Sequence, residues 1–185
     1  VGRGQVGIDA GQRLIYDLGT VAAFESLAAG GTTTETITYT VRDPQGAQAT
    51  ASVAVTIVGT NDAPTARPDT AAAIEDGAPV RIDVLANDDD IDTDDSAATL
   101  KVVGAVSTLA GPLAIAADGT IVYDIRGIAA FDRLAQGQTA AGFDTITYTI
   151  ADRHGATATS QVAVSVTGAN DAPLAVDDRL AQTED

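Results

Sequence analysis

Residues 35–64 read ETITYTVRDPQGAQATASVAVTIVGTNDAP, and nearly the same letters return at 144–173 as DTITYTIADRHGATATSQVAVSVTGANDAP. A second matching pair lies upstream of these, LIYDLGTVAAFESLAAG at 14–30 and IVYDIRGIAAFDRLAQG at 121–137. The two spacings are 109 and 107 residues, and the difference falls where a loop insertion is expected. Self-similarity at a fixed period indicates a repeat protein, and a period of this length is the size of one small domain.

This period divides the chain into three parts. We predict the second half of a first repeat at 1–60, a complete repeat at 61–169 and the start of a third repeat at 170–185. The sequence therefore has the character of a section from a longer array. The first part lacks the opening strands of its own repeat, so we expect it to be poorly supported unless another chain supplies them.

Inside the complete repeat, apolar and polar residues alternate. Isoleucine and tyrosine alternate with threonine between 144 and 150, and valine alternates with small or polar residues between 156 and 167. About seven such strands, the first at 64–73, separated by turn signals roughly every 8 to 12 residues, predict an antiparallel β-sandwich. The loops DPQG at 43–46 and DRHG at 152–155 predict tight hairpins in which Asp opens the turn and Gly takes the positive φ. One stretch in each copy, 21–29 and 128–136, instead predicts a single amphipathic helical turn that packs onto the sandwich.

The charge balance excludes several classes of partner. Twenty-six acidic residues against ten basic ones give a net charge of −16, which repels nucleic acid and anionic membrane surfaces. No apolar run is long enough to insert into a membrane, and no signal-peptide pattern opens the chain. There is no cysteine, and the one histidine, His154, falls in a predicted hairpin with no nucleophile motif nearby. We therefore assign His154 to the turn and predict no enzyme activity.

The stretch LANDDDIDTDD at 85–95 carries six aspartates in eight positions and no basic residue. Two carboxylates about 5 Å apart repel by roughly 3 kcal/mol at an effective dielectric near 20, so six together favour an open loop unless a cation binds them. Calcium takes about six to eight oxygen ligands, which aspartates at alternate positions of an extended loop can present on one side. An EF-hand does not fit, because Thr93 and Thr99 stand where that loop needs a glycine and an acid. The stretch is interpreted either as a calcium site or as a solvated acidic loop.

Five motifs together cover essentially the whole chain: GTNDAP at 59–64, VLANDDD at 84–90, AADGTIVYD at 116–124, TITYTIADRHG at 145–155 and GANDAP at 168–173. With these motifs the sequence resembles the VCBS and cadherin-like tandem repeats of large bacterial surface proteins, including RTX-type adhesins. The resemblance implies tandem Ig-like or cadherin-like β-sandwiches of about 109 residues, each with one short helical turn. It also implies calcium ions at the junctions between the sandwiches.

The resemblance further implies which residues hold calcium. Ligands in such arrays come from the linker, from a glutamate ending the first strand, from an Asp-x-Asp pair after the second strand and from an aspartate opening the last hairpin. At the first junction these are Asn61, Asp62, Asp88, Asp90 and Asp152. At the second junction they are Glu75, Asn170 and Asp171. Asp92 and Asp94 are candidates for a further ion together with Asp95, and Glu25 and Asp132 are secondary candidates.

Two simpler interpretations of these residues stay open from the sequence alone. Asp152 opens a tight turn, where an aspartate often caps its own backbone. Asn61 and Asp62 form a plain linker, stiffened by Pro64, in the second interpretation.

The implied function is mechanical. We expect a calcium-rigidified extender module of a large secreted or cell-surface bacterial adhesin that supports cell adhesion and biofilm formation. Its partners would be the neighbouring repeats of the same chain, with host or matrix ligands bound through other domains, and neither nucleic acid nor a membrane. The alternatives are a carbohydrate- or protein-binding β-sandwich, disfavoured by only four tyrosines and three phenylalanines, and an accessory domain of a secreted hydrolase.

Overall fold

The computed structural model describes residues 4–19 and 21–173, together with the single positions 175, 177 and 179. More than half of the predicted third-repeat segment, 170–185, therefore lies outside the described residues. Strands dominate the described chain, and the predicted all-β fold class is confirmed. None of the helices in the described ranges has the length and apolar character needed to cross a membrane.

The first unit contains two strand pairs and one helical turn. β1 (Gln5–Ile8) pairs with β2 (Leu14–Asp17), and β3 (Thr32–Arg42) pairs with β4 (Gln48–Val58), both antiparallel. Helix α1 (Ala22–Glu25) lies between the two pairs. The β3–β4 hairpin closes through a glycine with a φ of 96°, the conformation that its turn sequence predicts.

The second unit is built from two sheets. Its strands are β5 (Asp69–Ile74), β6 (Val80–Ile82), β7 (Lys101–Ser107), β8 (Gly111–Pro112), β9 (Ala114–Ile115), β10 (Ile121–Tyr123), β11 (Thr139–Ala151) and β12 (Thr157–Thr167). One sheet has the order β5-β12-β11-β7-β8, and the other has the order β6-β10-β9. β5 pairs with β12 in parallel, whereas the other pairings of these two sheets are antiparallel. A short 3₁₀ helix, Leu85–Asn87, follows β6 and leads into residues 88–95, called the acidic loop below.

The first strand of this unit begins later than its sequence predicts. The expected range was 64–73, but β5 spans Asp69–Ile74. Pro64 and Pro68 have no N–H to donate, so a continuous ladder cannot form across them. The segment between them instead makes an isolated bridge from Thr65 to Asp89, which ties the linker to the acidic loop.

The core of the second unit follows from the alternation of β11 and β12. Their inward side chains have no exposed surface: Ile146, Tyr148, Ile150, Val162, Val164 and Val166. In the first unit, Tyr39 and Val53 are the equivalents of Tyr148 and Val162, and they remain 37% and 39% exposed. In the second unit this face shares one core with Ile82 of β6 and with Ile121 and Tyr123 of β10, and a counterpart of β6 does not occur among the residues described before β1.

Asp144 is a buried acid in this core, only 1% exposed. Its carboxylate accepts hydrogen bonds from three hydroxyl groups, those of Ser107, Thr108 and Tyr123. Burial alone would raise the pKa of Asp144, but these hydrogen bonds outweigh it and the pKa is lowered. The first unit repeats the arrangement, since Tyr16 donates a 2.8 Å hydrogen bond to Glu35.

The segment predicted as a helical turn is a helix in the first copy, α1, but at 128–136 it is a series of tight turns with N–H bonds to the carbonyl three residues earlier. In each copy the segment is hydrogen-bonded to the end of the last strand. In the second unit Gly137 N donates to Gly168 O and Gly168 N donates to Gln138 O, each at 2.9 Å. The same reciprocal pair joins residues 30–31 to Gly59 in the first unit. Phe131 and Leu134 are buried beneath the second turn, as predicted. These hydrogen bonds place the segment beside the linker that follows each repeat.

Candidate metal centre

Asn61 and Asp152 join the linker to the last hairpin of the complete repeat. Asp152 Oδ1 accepts backbone N–H groups of the β11–β12 turn, from His154 at 2.8 Å and Ala156 at 2.9 Å among others. Its Oδ2 accepts a 2.8 Å hydrogen bond from the amide of Asn61. Burial would raise the pKa of Asp152, but the hydrogen bonds from Asn61 and the turn outweigh it, so this pKa is lowered. Asp152 therefore stays ionised beside the linker.

The acidic loop turns its carboxylates inward instead of spreading them into water. Asp92 is 2% exposed and Asp95 is 8% exposed. Asp92 Oδ2 accepts the backbone N–H of Asp62 at 2.9 Å, and Asp90 Oδ1 accepts the backbone N–H of Asp92 at 2.9 Å. These contacts fold the loop against the linker, so the plain solvated loop is not what the structure shows.

A group of buried oxygen atoms at this junction has no hydrogen-bond partner. The atoms are Asn61 Oδ1, Asp90 Oδ2, Asp92 Oδ1, Asp94 Oδ1 and Asp95 Oδ2. Buried polar atoms are nearly always paired, because an unpaired one costs about 1–3 kcal/mol and a charged one costs more. Five such atoms in one linker and one loop require a common explanation.

The electrostatics of Asp90 show that these carboxylates face one another. Burial raises the pKa of Asp90, and the negative charges of Asp92, Asp95 and Asp152 raise it further. Like charges this close are unfavourable without a counter-ion. Every unpaired atom of the group is a carboxylate or amide oxygen, the donor type that calcium prefers. The donor set therefore fits a calcium ion, with water completing the coordination.

The preceding unit contributes to the same junction. Thr93 N donates a 3.1 Å hydrogen bond to Ser26 O, which follows helix α1. Glu25 and Asp62 also line a common cavity of about 170 Å³ between the first unit and the linker. The acidic loop thus contacts both repeats, and Glu25, a secondary candidate implied by the resemblance, lines the same cavity as Asp62 of the linker.

Asp88 has hydrogen-bond partners outside the group of unpaired oxygens. Its Oδ1 accepts the backbone N–H of Arg67 at 2.7 Å, and Tyr148 directs its hydroxyl towards both oxygens at 3.4 Å. Burial raises the pKa of Asp88, and its oxygens are not among the unpaired ones. The side chain of Asp92 binds the linker directly, and Asp90 and Asp92 each carry an unpaired oxygen. The sequence does not distinguish this pair from Asp88 and Asp90, the pair that the motif suggests, because aspartates recur at every second position from 88 to 94.

The predicted second junction is only partly assembled. Glu75 is 3% exposed, its Oε2 accepts the backbone N–H of Ala169 at 2.9 Å, and its Oε1 is buried without a partner. Asn170 and Asp171 are exposed, and Asn170 Nδ2 donates to Asp171 O at 3.2 Å. The same contact, at 2.6 Å, joins Asn61 to Asp62. The two linkers thus begin with the same local bond, and Glu75 provides an unpaired oxygen beside the second.

Two basic side chains border the acidic loop, and sequence reasoning assigned neither to the site. Arg153 approaches Asp94 at 3.5 Å and Asp95 at 3.4 Å. His154 Nε2 lies 3.2 Å from Asp94 Oδ2. His154 does belong to a turn, as predicted, but its ring reaches the loop 60 residues earlier in the chain.

Two comparisons with known proteins returned matches. A family model described as the bacterial cadherin-like domain matches residues 61–168. Among solved structures, the chain is similar to mouse cadherin-23 EC22-24, with 15% sequence identity and a TM-score of 0.44 over 90% of this chain. The chain spans 50% of that structure's length. No curated protein matches the sequence.

Proposed function

The chain belongs to the bacterial cadherin-like domain family, and we propose that it is a calcium-rigidified extender module of a large secreted or cell-surface bacterial adhesin of the VCBS or RTX type. Cadherin-like domains are typically extracellular, non-enzymatic structural or adhesion modules that form tandem arrays. In this proposal the repeats contact one another within the chain. Other domains bind host or matrix ligands and support biofilm formation.

The observation that carries the proposal is the set of unpaired oxygens at the first junction. They come from the linker and the acidic loop, and that loop also contacts the preceding unit through Ser26. A divalent cation would neutralise carboxylates that otherwise repel. The residues proposed to hold calcium are Asn61, Asp90, Asp92, Asp94 and Asp95, with Glu25, Asp62 and Asp152 beside them. Glu75, Asn170 and Asp171 are proposed for the second junction.

Each group of residues has a separate task in this mechanism. Asp152 holds the linker through Asn61 while capping its own hairpin. Asp92 holds the linker one residue further on through the N–H of Asp62. With calcium on the remaining oxygens, the linker cannot swing away from the loop without breaking these contacts together. The angle between successive repeats is thereby restricted, and an array of them extends.

The expected energies are modest for each site and add up along an array. Extracellular calcium modules bind at about 10⁻⁴–10⁻³ M. A tenfold excess of calcium over Kd stabilises the bound state by about 1.4 kcal/mol per site. A small number of sites therefore shifts the melting temperature of a domain of this size by several degrees.

The test compares the chain in millimolar calcium with the chain in chelator. Calorimetric titration gives the number of ions and Kd, scanning calorimetry gives the melting temperature, and small-angle scattering gives the maximum dimension. We expect saturable calcium binding, a higher melting temperature and a longer, narrower particle in calcium, and no such change with the same concentration of magnesium. An unchanged melting temperature and unchanged scattering dimensions in calcium would falsify the proposal.

A further inference from the structure

Asp94, Asp95 and His154 lie together at the outer side of the acidic loop. One ligand atom from each, two carboxylate oxygens and a ring nitrogen, lies within 4.8 Å of the other two. His154 Nε2 lies 3.2 Å from Asp94 Oδ2. The β11–β12 turn holds His154 in place, because its backbone N–H is bound by Asp152 at 2.8 Å.

Asp95 provides an independent indication that a ligand belongs here. Its side chain has 0% exposed surface, and Oδ2 has no hydrogen-bond partner. Oδ1 accepts a 2.8 Å hydrogen bond from the Thr99 hydroxyl, which fixes the carboxylate in place. Asp94 Oδ1 is buried and unpaired as well. Each carboxylate thus keeps one free oxygen for a ligand.

We propose that these three residues form a binding site for a transition-metal ion of the Zn²⁺ type, which shares Asp94 and Asp95 with the proposed calcium group but adds a nitrogen ligand. Neutral imidazole suits zinc, copper and nickel, whereas calcium and magnesium prefer oxygen donors alone. His154 and Asp94 have side chains that are 34% and 32% exposed. This exposure leaves room for water to complete a tetrahedral or five-coordinate shell.

The guanidinium of Arg153 competes with a metal ion for the carboxylates of this site. Its guanidinium contacts Asp94 Oδ2 at 3.5 Å and Asp95 Oδ1 at 3.4 Å, and its side chain is 45% exposed. Those contacts engage one oxygen of each carboxylate and leave the unpaired ones available. Because the guanidinium reaches solvent, it can withdraw into water when a cation arrives. Arg153 therefore lowers the affinity of the site without closing it.

The first repeat provides a natural comparison for the nitrogen ligand. Gln45 occupies the position that corresponds to His154, 109 residues earlier. Glutamine fits the same hairpin turn, so His154→Gln removes the ring with little risk to folding. The proposal does not depend on calcium binding, although calcium competes for Asp94 and Asp95 where both ions are present.

The test titrates Zn²⁺ into the whole 185-residue chain without a histidine tag, first in metal-free buffer and then in millimolar calcium. The chain has one histidine and no cysteine, so the ¹⁵N signals of a single imidazole report on the site directly. We expect one zinc equivalent, a shift of the ring Nε2 signal on binding, and affinity weakened at least about tenfold by His154→Gln. Arg153→Ala should bind zinc more tightly than the wild type, and Gln45→His should gain no second zinc ion.

Three results would overturn the proposal. The first is a wild-type chain that does not bind zinc. The second is zinc binding that does not shift the imidazole signals. The third is a His154→Gln variant that binds zinc as tightly as the wild type. Either of these two results would mean that only oxygen ligands hold the zinc ion. Calcium binding is measured in a separate titration in the same buffer. A failure to bind zinc therefore does not contradict the calcium proposal, and a failure to bind calcium does not contradict the zinc proposal.

Discussion

The side-chain amide of Asn61 donates a 2.8 Å hydrogen bond to Oδ2 of Asp152, which lies 91 residues further along the chain. The other carboxylate oxygen, Oδ1, accepts N–H groups of its own hairpin turn. The sequence leaves a calcium ligand and a turn cap as alternatives for Asp152; in the structure one oxygen of the carboxylate caps the turn and the other binds the linker. The tight turn and the repeat junction are stabilised by the same side chain.

The first prediction concerns this shared carboxylate. Asp152→Asn keeps one acceptor oxygen, so either the turn or Asn61 loses its partner, and unfolding in chelator should become easier by about 1–3 kcal/mol. Urea denaturation followed by circular dichroism measures the change. Asp43→Asn is the matched control in the first repeat, where the exposed carboxylate accepts one turn N–H, from Ala47 at 2.8 Å. Equal losses in the two variants would show that the bond to Asn61 contributes nothing.

The second prediction separates Asp90 from Asp88. Asp90→Asn removes one of several facing charges, so the chain in chelator should become more stable while calcium affinity falls about tenfold or more. Asp88→Asn should leave calcium affinity unchanged, because its carboxylate is bound by Arg67 and Tyr148. Calorimetric titration and thermal melting of both variants give the comparison. A larger loss of calcium affinity in Asp88→Asn would restore the pair that the motif first suggested.

The third prediction concerns the hydrogen bonds that join Gly137 and Gln138 to Gly168 at the end of the last strand. A Cβ at Gly168 would lie 2.5 Å from Ala135 O and 2.7 Å from Leu134 Cβ. Gly168→Ala should therefore destabilise the second unit by about 1–3 kcal/mol, the usual cost of overpacking. Gly104→Ala is the control, because nothing lies within 4 Å of its added Cβ. The expected order of melting temperatures is wild type and Gly104→Ala together, with Gly168→Ala several degrees lower.

The fourth prediction uses the buried acid Asp144. Its folded-state pKa lies below the ordinary value of 3.8, so ionisation stabilises the fold at all pH values above about 4. This contribution is lost as the pH falls from the unfolded-state pKa towards the lower folded-state one. Asp144→Asn should cost at least about 2 kcal/mol at pH 7, because buried hydroxyl donors lose a charged acceptor. The cost should shrink at pH 3.

Denaturation of wild type and variant at both pH values, in chelator, measures the Asp144 effect. Asp118→Asn serves as the control, since Asp118 pairs with Arg81 on an exposed surface and its neutralisation should leave stability nearly unchanged. A cost for Asp144→Asn that is independent of pH would mean that lost hydrogen-bond geometry, and not charge, accounts for it.

The repeat, the fold class and the buried faces of the long strands follow from the amino-acid sequence alone. Alternation at 144–150 predicted which side chains are buried, and the structure confirms it with Ile146, Tyr148 and Ile150 fully buried. The Asp and Gly positions of the hairpins predicted their turns in the same way. These features follow from contacts between near neighbours along the chain, so the local pattern carries them.

Which acids face the junction depends on contacts that the chain makes only in its packed fold. The spacing of the aspartates at 88–95 does not distinguish one aspartate pair from the next, because alternate positions of a regular extended loop are equivalent. The bridge from Thr65 to Asp89 and the bond from Arg67 to Asp88 turn the first part of the loop towards the core, and the bond from Asp62 to Asp92 turns the next part towards the linker. His154 likewise lies beside Asp94 because the packed fold brings the β11–β12 turn to the acidic loop. Such pairings join residues tens of positions apart, and their register depends on the packed fold and not on any local pattern of letters.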